Sequence, residues 1–148
     1  MANLVNLSID GYDLTDFIRL TGSGEGTSSL TGGTVKYTFR QWKSGIVDLW
    51  VNETIGTLPV NTGGTGGHYS AECDITIPCP SNITDIVCVS GNHNANGKVN
   101  NETFVDLLIK DVKHAGNDIT ITYELFCNSA LSTDATGQVN YYHLQYCV

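Results

Sequence analysis

The stretch TVKYTFRQWKSGIVDLWVNET (residues 34–54) decides the fold. Apolar and polar side chains alternate along TVKYTFRQW (34–42) and again along GIVDLWVNET (45–54). Because successive side chains of a strand point to opposite faces, this alternation predicts two half-buried strands. The sequence KSG separates the two runs, and its glycine, Gly45, tolerates the positive φ that a tight turn requires. The stretch therefore predicts a β-hairpin.

The same period of two extends along the rest of the chain. Five further strands are predicted, in HYSAECDITIP (68–78), ITDIVCVSG (83–91), TFVDLLIKDVKH (103–114), DITITYELFC (118–127) and VNYYHLQYCV (139–148). Residues 103–114 also fit a helix, but the turn HAGND needs a strand before it, so we predict a strand that is bulged near Leu107–Leu108. About seven strands joined by polar loops are typical of an all-β, antiparallel β-sandwich or jelly roll.

Composition agrees with an all-β fold and excludes several classes of function. Val, Ile and Thr make up 40 of the 148 residues. The net charge is −8, from seven Lys and Arg against fifteen Asp and Glu, which disfavours binding to nucleic acid or anionic membranes. An apolar run of about twenty residues, as a membrane helix requires, is missing, and the N-terminus MANLVNLSIDGYDL does not resemble a signal peptide.

The five cysteines predict a reducing compartment. An odd number of cysteines without a signal peptide argues against a disulfide framework, and scattered positions disfavour structural zinc. We expect all five to be small buried side chains: Cys73, Cys79, Cys88, Cys127 and Cys147.

The first 33 residues differ in composition from the rest. Residues 21–33, TGSGEGTSSLTGG, contain five glycines and almost no apolar side chain, which predicts a flexible linker. The chain is therefore divided into an arm and linker (1–33) and a β-domain (34–148). The alternative is one continuous domain in which residues 21–33 form a long surface loop.

Seven residues of the hairpin carry a resemblance to a known group of proteins: Tyr37, Phe39, Arg40, Trp42, Ser44, Gly45 and Trp50. With them, YTFRQWKSGIVDLWVNETI resembles the opening hairpin of the small C-terminal β-sandwich domains of bacteriophage tail fibres and head fibres. The resemblance covers roughly residues 35–148. Only the spacing W-x-S-G-x-x-x-x-W, from Trp42 to Trp50, is distinctive.

The resemblance implies a homotrimeric virion protein that adheres to a host-surface glycan or protein and has no chemistry of its own. Residues 1–33 would dock it onto another virion protein, and it would be made in the host cytoplasm. The chain departs from the pattern in having five cysteines and in lacking the long shaft of a tail fibre. These departures favour a head fibre, decoration protein or fibre tip.

Enzymatic signatures are weak. Neither glycine-rich stretch contains the G-x-x-x-x-G-K-[ST] phosphate loop, and the four histidines form no H-x-H or H-E-x-x-H pattern. Paired carboxylates on strands would suit glycoside hydrolysis, but fifteen acids in one small domain produce such pairs by chance. The sequence thus predicts a protein that is not an enzyme and has no metal or cofactor.

Two sets of residues are predicted to carry binding and assembly. Asn, His and Tyr side chains in polar loops suit saccharide recognition, although Asn and Gly also favour plain turns. These candidate ligand contacts are His68, Tyr69, Asn92, His93, Asn94, Asn96 and Asp134. Core or subunit-interface roles are predicted for Tyr37, Phe39, Trp42, Trp50 and Tyr141.

Two other functions remain open on the sequence alone. The chain fits a purely structural capsid decoration or tail-assembly protein whose loops bind nothing specific. It also fits a small lectin or a glycan-active enzyme. Adhesion as a multimer is the leading hypothesis, with affinity arising from repeated weak contacts.

Overall fold

The computed structural model describes residues 8–9, 12–13, 18–57, 69–94, 105–127 and 137–148. The regular secondary structure in this part of the chain is all β-strand. A two-stranded ladder joins β1 (Ser8–Ile9) to β2 (Tyr12–Asp13). The remaining strands are β3 (Ile18–Ser28), β4 (Thr34–Trp42), β5 (Ile46–Thr54), β6 (Tyr69–Pro78), β7 (Asp85–Asn94), β8 (Val105–Ala115), β9 (Asp118–Cys127) and β10 (Val139–Cys147).

Strands β3 to β10 form one antiparallel sheet in the order β7-β10-β5-β4-β3-β6-β9-β8. The outermost strands β7 and β8 come close together, since a Cβ atom added to Gly91 of β7 would lie 2.7 Å from the Leu107 side chain of β8. The sheet is therefore nearly closed into a barrel. The all-β, antiparallel prediction is confirmed, whereas the sandwich or jelly roll is not confirmed.

The hairpin of β4 and β5 forms as its alternation predicts. Phe39 lies opposite Leu49, and both point into the core. The turn is closed by a hydrogen bond of 3.0 Å from the Gly45 amide to the Trp42 carbonyl, with Gly45 at φ 89°. The apolar core consists of Leu30, Val35, Phe39, Val47, Leu49, Val51, Ile55, Cys73, Ile75, Ile77, Cys79, Ile83, Ile119, Ile121, Tyr123, Leu125, Tyr142, Leu144 and Tyr146.

A buried polar cluster, formed by Ser28, Glu53, Tyr123, Asn140 and Tyr142, lies within this apolar core. The Glu53 carboxylate has no exposed surface. Its Oε1 accepts hydrogen bonds from the Ser28 and Tyr123 hydroxyls, both at 2.8 Å. Its Oε2 accepts from the Tyr142 hydroxyl at 2.9 Å and from Asn140 Nδ2 at 3.1 Å. Four donors thus replace the water that the carboxylate loses, and they tie β5 to β3, β9 and β10.

The two tyrosines of the buried polar cluster keep their protons. Burial, reinforced by the negative charge of Glu53, raises the pKa of Tyr123 and Tyr142 far above the usual value. Both hydroxyls are therefore protonated at neutral pH and donate hydrogen bonds to Glu53.

The glycine-rich stretch predicted as a linker is in fact a strand. Most of β3 pairs with β4, and its last two residues pair with β6. A Cβ atom on Gly22 would lie 2.7 Å from the Phe39 ring, and one on Gly24 would lie 2.4 Å from the Tyr37 hydroxyl. The linker prediction is wrong for residues 21–28, because the alternating glycines are inward positions where only hydrogen fits beneath these rings.

Both edge strands carry a bulge. The strand predicted over 103–114 is confirmed as β8, but its bulge falls at Lys110 and not near Leu107–Leu108. Lys110 also forms an ion pair of 2.9 Å with Glu72. On β7 the register shifts around Val87. Bulges and charged side chains on edge strands disfavour pairing with the sheet of another molecule.

Candidate functional site

The predicted ligand loops are only partly loops. Asn92, His93 and Asn94 belong to β7, which pairs with β10 as far as Asn94 opposite Val139. The strand predicted over 83–91 therefore continues to Asn94, where a polar loop was expected, because cross-strand pairing overrides the turn preference of asparagine. Tyr69 is the first residue of β6. His68, Asn96 and Asp134 lie outside the described residues.

His93 joins β7 to β10. Its Nδ1 lies 2.7 Å from Asn140 Oδ1, and its Nε2 lies 2.6 Å from Gln138 Oε1. The amide nitrogen of Asn140 donates to Glu53, so its oxygen faces His93, and the ring donates from Nδ1. Both ring nitrogens thus lie within hydrogen-bonding distance of a side-chain amide, and through Asn140 the ring of His93 is connected to the buried polar cluster.

The aromatic residues predicted for core or interface divide into two groups. Phe39 lies in the core, and Tyr37 is half-buried with its hydroxyl donating to the Pro78 carbonyl at 2.6 Å. Trp50 and Tyr141 are 40% and 39% exposed. A core role is therefore wrong for these two residues, while a role at a subunit interface stays a prediction.

Trp50 and Tyr141 lie on what we call the outer face, the solvent side of β3, β4, β5, β10 and β7. Cross-strand pairing arranges its side chains in rows. The first row runs Glu25, Lys36, Asn52, Tyr141, Asn92. The second row runs Ser23, Thr38, Trp50, His143, Ser90.

A stack of four side chains crosses the outer face. The Arg40 guanidinium lies 5.4 Å from the Trp42 ring centroid and 5.8 Å from that of Trp50. On β10, the His143 ring stacks on Trp50 with centroids 5.4 Å apart and planes 18° apart. Contacts of a cation with an indole face contribute about 0.5–2 kcal/mol each. The two tryptophans of the W-x-S-G-x-x-x-x-W pattern thus hold Arg40 between them and order this face.

Asp48 fixes the position of the stack through a hydrogen bond from Trp42. This carboxylate is only 8% exposed. Trp42 Nε1 donates to its Oδ2 at 2.6 Å, and Gln145 Nε2 donates to its Oδ1 at 2.8 Å. Burial opposes the ionisation of Asp48, yet these hydrogen bonds and the imidazole of His143 outweigh it and hold the pKa of the carboxyl below its usual value. The ionised form is therefore part of the native outer face.

Asp48→Asn is expected to destabilise the protein by about 2 kcal/mol at pH 7, because one acceptor oxygen then faces two donors. Because folding lowers the pKa of Asp48, its carboxylate stabilises the fold above the unfolded value near 4. This contribution is lost as the pH falls through the folded pKa. Urea unfolding at pH 3, 5 and 7 should show the difference between the two proteins shrinking below about pH 4. A difference that is constant with pH, or one equalled by the exposed control Asp85→Asn, would contradict this role.

Grooves cut the outer face on both sides of Trp50. The central groove, with a volume of about 380 Å³, is lined by Trp50, Asn52, Ser90, Gly91, Asn92, Tyr141, Tyr142 and His143. A second groove of about 330 Å³ lies towards β3 and includes Lys36, Thr38, Trp50 and Asn52 in its lining. A third of about 290 Å³ lies between Lys36, Asn52 and Tyr141. The outer face thus combines exposed aromatic rings with grooves that are lined largely by polar side chains.

The side chains that commonly bind metal ions do not cluster in the described part of the chain. His, Cys, Asp and Glu do not gather there in groups of three or more that would hold a metal ion. Cys73 and Cys79 are buried in the core, and burial raises the pKa of each thiol to about 11. Cys88 is exposed and Cys147 is half-buried, so the prediction that every cysteine is buried is wrong for Cys88.

Comparison of the chain with protein-family models, with curated proteins and with solved structures gave no match. The described part of the chain contains no helix, and therefore none long and apolar enough to cross a membrane.

Among the outward-facing residues of the central groove, three escaped prediction: Asn52, Ser90 and His143. All three occupy outward positions of strands whose inward positions were recognised. The alternation places them on the solvent side, but the pairing of β10 with both β5 and β7 is a long-range contact. Only that pairing brings them together with Trp50 and Tyr141, which were singled out for other roles.

Proposed function

We propose that the protein is a non-enzymatic bacteriophage virion protein that adheres to a host-surface glycan or protein through its outer face. The observation that carries the proposal is the exposure of Trp50 and Tyr141 beside grooves lined by amide and hydroxyl side chains. Large exposed aromatic rings rimmed by polar groups are typical of binding surfaces.

The order of the outer face supports the proposal. The stack of Trp42, Arg40 and Trp50 fixes these side chains before any ligand arrives. Asp48 holds the indole of Trp42 by a hydrogen bond. A surface ordered in advance loses little conformational entropy on binding, which favours adhesion through side chains that are already in place.

Within this proposal the curled sheet forms the two facing layers of a sandwich. One layer holds β7, β10, β5, β4 and most of β3, and the other holds β6, β9 and β8. The support is the change of partner along β3, from β4 to β6 at Thr27. Leu49 of the first layer and Ile121 of the second are both fully buried, as facing layers require.

Display as a homotrimer on the particle completes the proposal. Repeated copies convert weak single contacts into firm adhesion. The docking role on another virion protein, expected for residues 1–33, is now proposed for residues 1–17, because β3 (Ile18–Ser28) is a central strand of the sheet.

The test uses the full chain, since a fragment starting at residue 34 would lack β3. Its mass in solution should be that of a trimer, and the labelled protein should bind cells of at least one strain in a panel of bacteria. A double variant, Trp50→Ala with Tyr141→Ala, should lose at least about tenfold in cell binding. Leu108→Ala, on exposed β8, is the matched control and should bind normally.

Two results would count against the proposal. A stable monomer that binds no strain would contradict both display and adhesion. A trimer that binds no strain would favour the decoration or assembly alternative.

A further inference from the structure

We infer that the outer face binds an uncharged sugar unit at Asn52, between the rings of Trp50 and Tyr141. This inference rests on the proposed function and assigns its ligand class and contact residues. The central groove and both of its neighbours include Asn52 in their lining. A ligand seated at Asn52 can therefore extend in three directions, as a branched or linear glycan requires.

The spacing of the rows suits a pyranose ring. In the first row Asn52, Tyr141 and Asn92 lie directly opposite one another on β5, β10 and β7. Because neighbouring strands are about 4.8 Å apart, the two amides stand roughly 10 Å apart with the phenol between them. An amide offers both donors and an acceptor, which matches the paired hydroxyls of a sugar. The exposed Tyr141 ring can cover the apolar C–H face of a sugar, whereas the Trp50 ring is already in contact with His143 and Arg40.

The second row adds a polar wall to the same groove. Trp50, His143 and Ser90 lie opposite one another on β5, β10 and β7. The indole already stacks on His143, so its position is set and it presents its exposed part to the groove. The side chains of the two rows together line the central groove with aromatic rings, amides and a hydroxyl group.

The charge of this region favours an uncharged ligand. Over β5, β10 and β7 the two rows contain no Asp, Glu, Lys or Arg. The charged members of the first row, Glu25 and Lys36, lie opposite each other on β3 and β4. An acidic or basic ligand would therefore be desolvated in the central groove without gaining an opposite charge.

The backbone of this region cannot capture an extended peptide. β5 is paired with β4 and β10, and β10 is paired with β5 and β7. Addition of a peptide strand needs a free sheet edge, which these strands do not offer. Only side chains are therefore available for recognition here. Their amide, hydroxyl and aromatic groups suit a ligand that is rich in hydroxyl groups.

The experiment measures binding of the full chain to an array of neutral and uronate-bearing oligosaccharides of two to six units. Binding to periodate-treated and protease-treated cells of the adhering strain is measured in parallel, because periodate cleaves vicinal diols of sugars. We expect neutral glycans to bind with little dependence on salt. Asn52→Ala should weaken this binding at least about fivefold and Tyr141→Ala at least about tenfold. Asn117→Ala, an exposed asparagine in the β8–β9 turn, is the matched control and should bind normally.

Cell binding that periodate abolishes and protease spares, with loss in the Asn52→Ala protein, supports the inference. Preference for uronate-bearing glycans with steep salt dependence would overturn it while leaving adhesion standing. Loss after protease alone would overturn it in favour of a protein receptor, and full binding by the Asn52→Ala and Tyr141→Ala proteins would overturn the site. Failure to bind any glycan or cell would remove the proposed function itself.

Discussion

Glu53→Ala is expected to destabilise the protein by about 3–5 kcal/mol at pH 7, a large part of the stability of an ordinary domain. The carboxylate is fully buried and accepts four hydrogen bonds. Its removal leaves the Tyr123 and Tyr142 hydroxyls without their acceptor in the core, and the Asn140 amide keeps only the Tyr142 hydroxyl. A cavity adds to the cost. Guanidinium unfolding followed by circular dichroism measures the change.

The matched control is Glu72→Ala, which removes an exposed carboxylate from β6. Glu72 pairs with Lys110 at the surface, and exposed pairs contribute about 0–1 kcal/mol. Glu53→Gln keeps the side-chain volume but leaves one acceptor oxygen, so its stability should lie between those of the wild type and the alanine variant. If both Glu53 variants unfold within 1 kcal/mol of the Glu72 control, about the size of one hydrogen bond, the cluster does not hold the core.

Gly26→Ala is expected to cost about 3 kcal/mol or to prevent folding. A Cβ atom at this position would lie 2.4 Å from the Thr76 carbonyl oxygen and 3.0 Å from Val35 Cγ1. The carbonyl belongs to the backbone of β6, so the clash is relieved only if β3 and β6 move apart. Those strands join the two halves of the sheet, and only two residue pairs connect them. The melting temperature should fall by about 6–12 °C.

Gly22→Ala provides the graded comparison. Its Cβ atom would meet the ring of Phe39, a side chain that can turn, so the loss of stability should be smaller than for Gly26→Ala. Ser23→Ala, at an exposed position of the same strand, should change the melting temperature by less than about 2 °C. Equal melting temperatures for all three variants would mean that the close approach of β3 and β6 is not required.

Local alternation was sufficient to predict the strands that face the core. Along β5, inward-facing and outward-facing side chains alternate, and the inward positions are Val47, Leu49 and Val51. This alternation can be recognised without knowing which distant strands pair with β5. The strand after residue 103 was predicted for a similar reason, since the turn at Gly116 requires two partners. The position of the bulge was not predicted, because it depends on the register of β8 with β9, which the local sequence does not specify.

The glycines of β3 show where composition misleads. In TGSGEG the same pattern describes a linker or a strand whose inward side chains have been reduced to hydrogen. What decides between them is the presence of Phe39 and Tyr37 on the facing strand, which fill the space above Gly22 and Gly24. A rule based on composition considers one stretch of the chain by itself, so it does not detect an aromatic ring on the neighbouring strand.

The candidate site can be predicted only in part, for a related reason. The sequence predicts a core or interface position for Trp50, because large aromatics are usually buried, and a ligand-binding loop for Asn92, because asparagine favours turns. The register of β10 with β5 and β7 places both on one surface with Tyr141 between them. Nothing in the local sequence of any one strand specifies that register.

The stack on the outer face also determines which part of the protein its tryptophan fluorescence reports on. Trp42 and Trp50 are its two tryptophans, and both lie on the outer face with Arg40 between them. Tyr123, Tyr142 and Tyr146, by contrast, are buried in the core. Tryptophan fluorescence therefore reports the environment of this one surface and not that of the core.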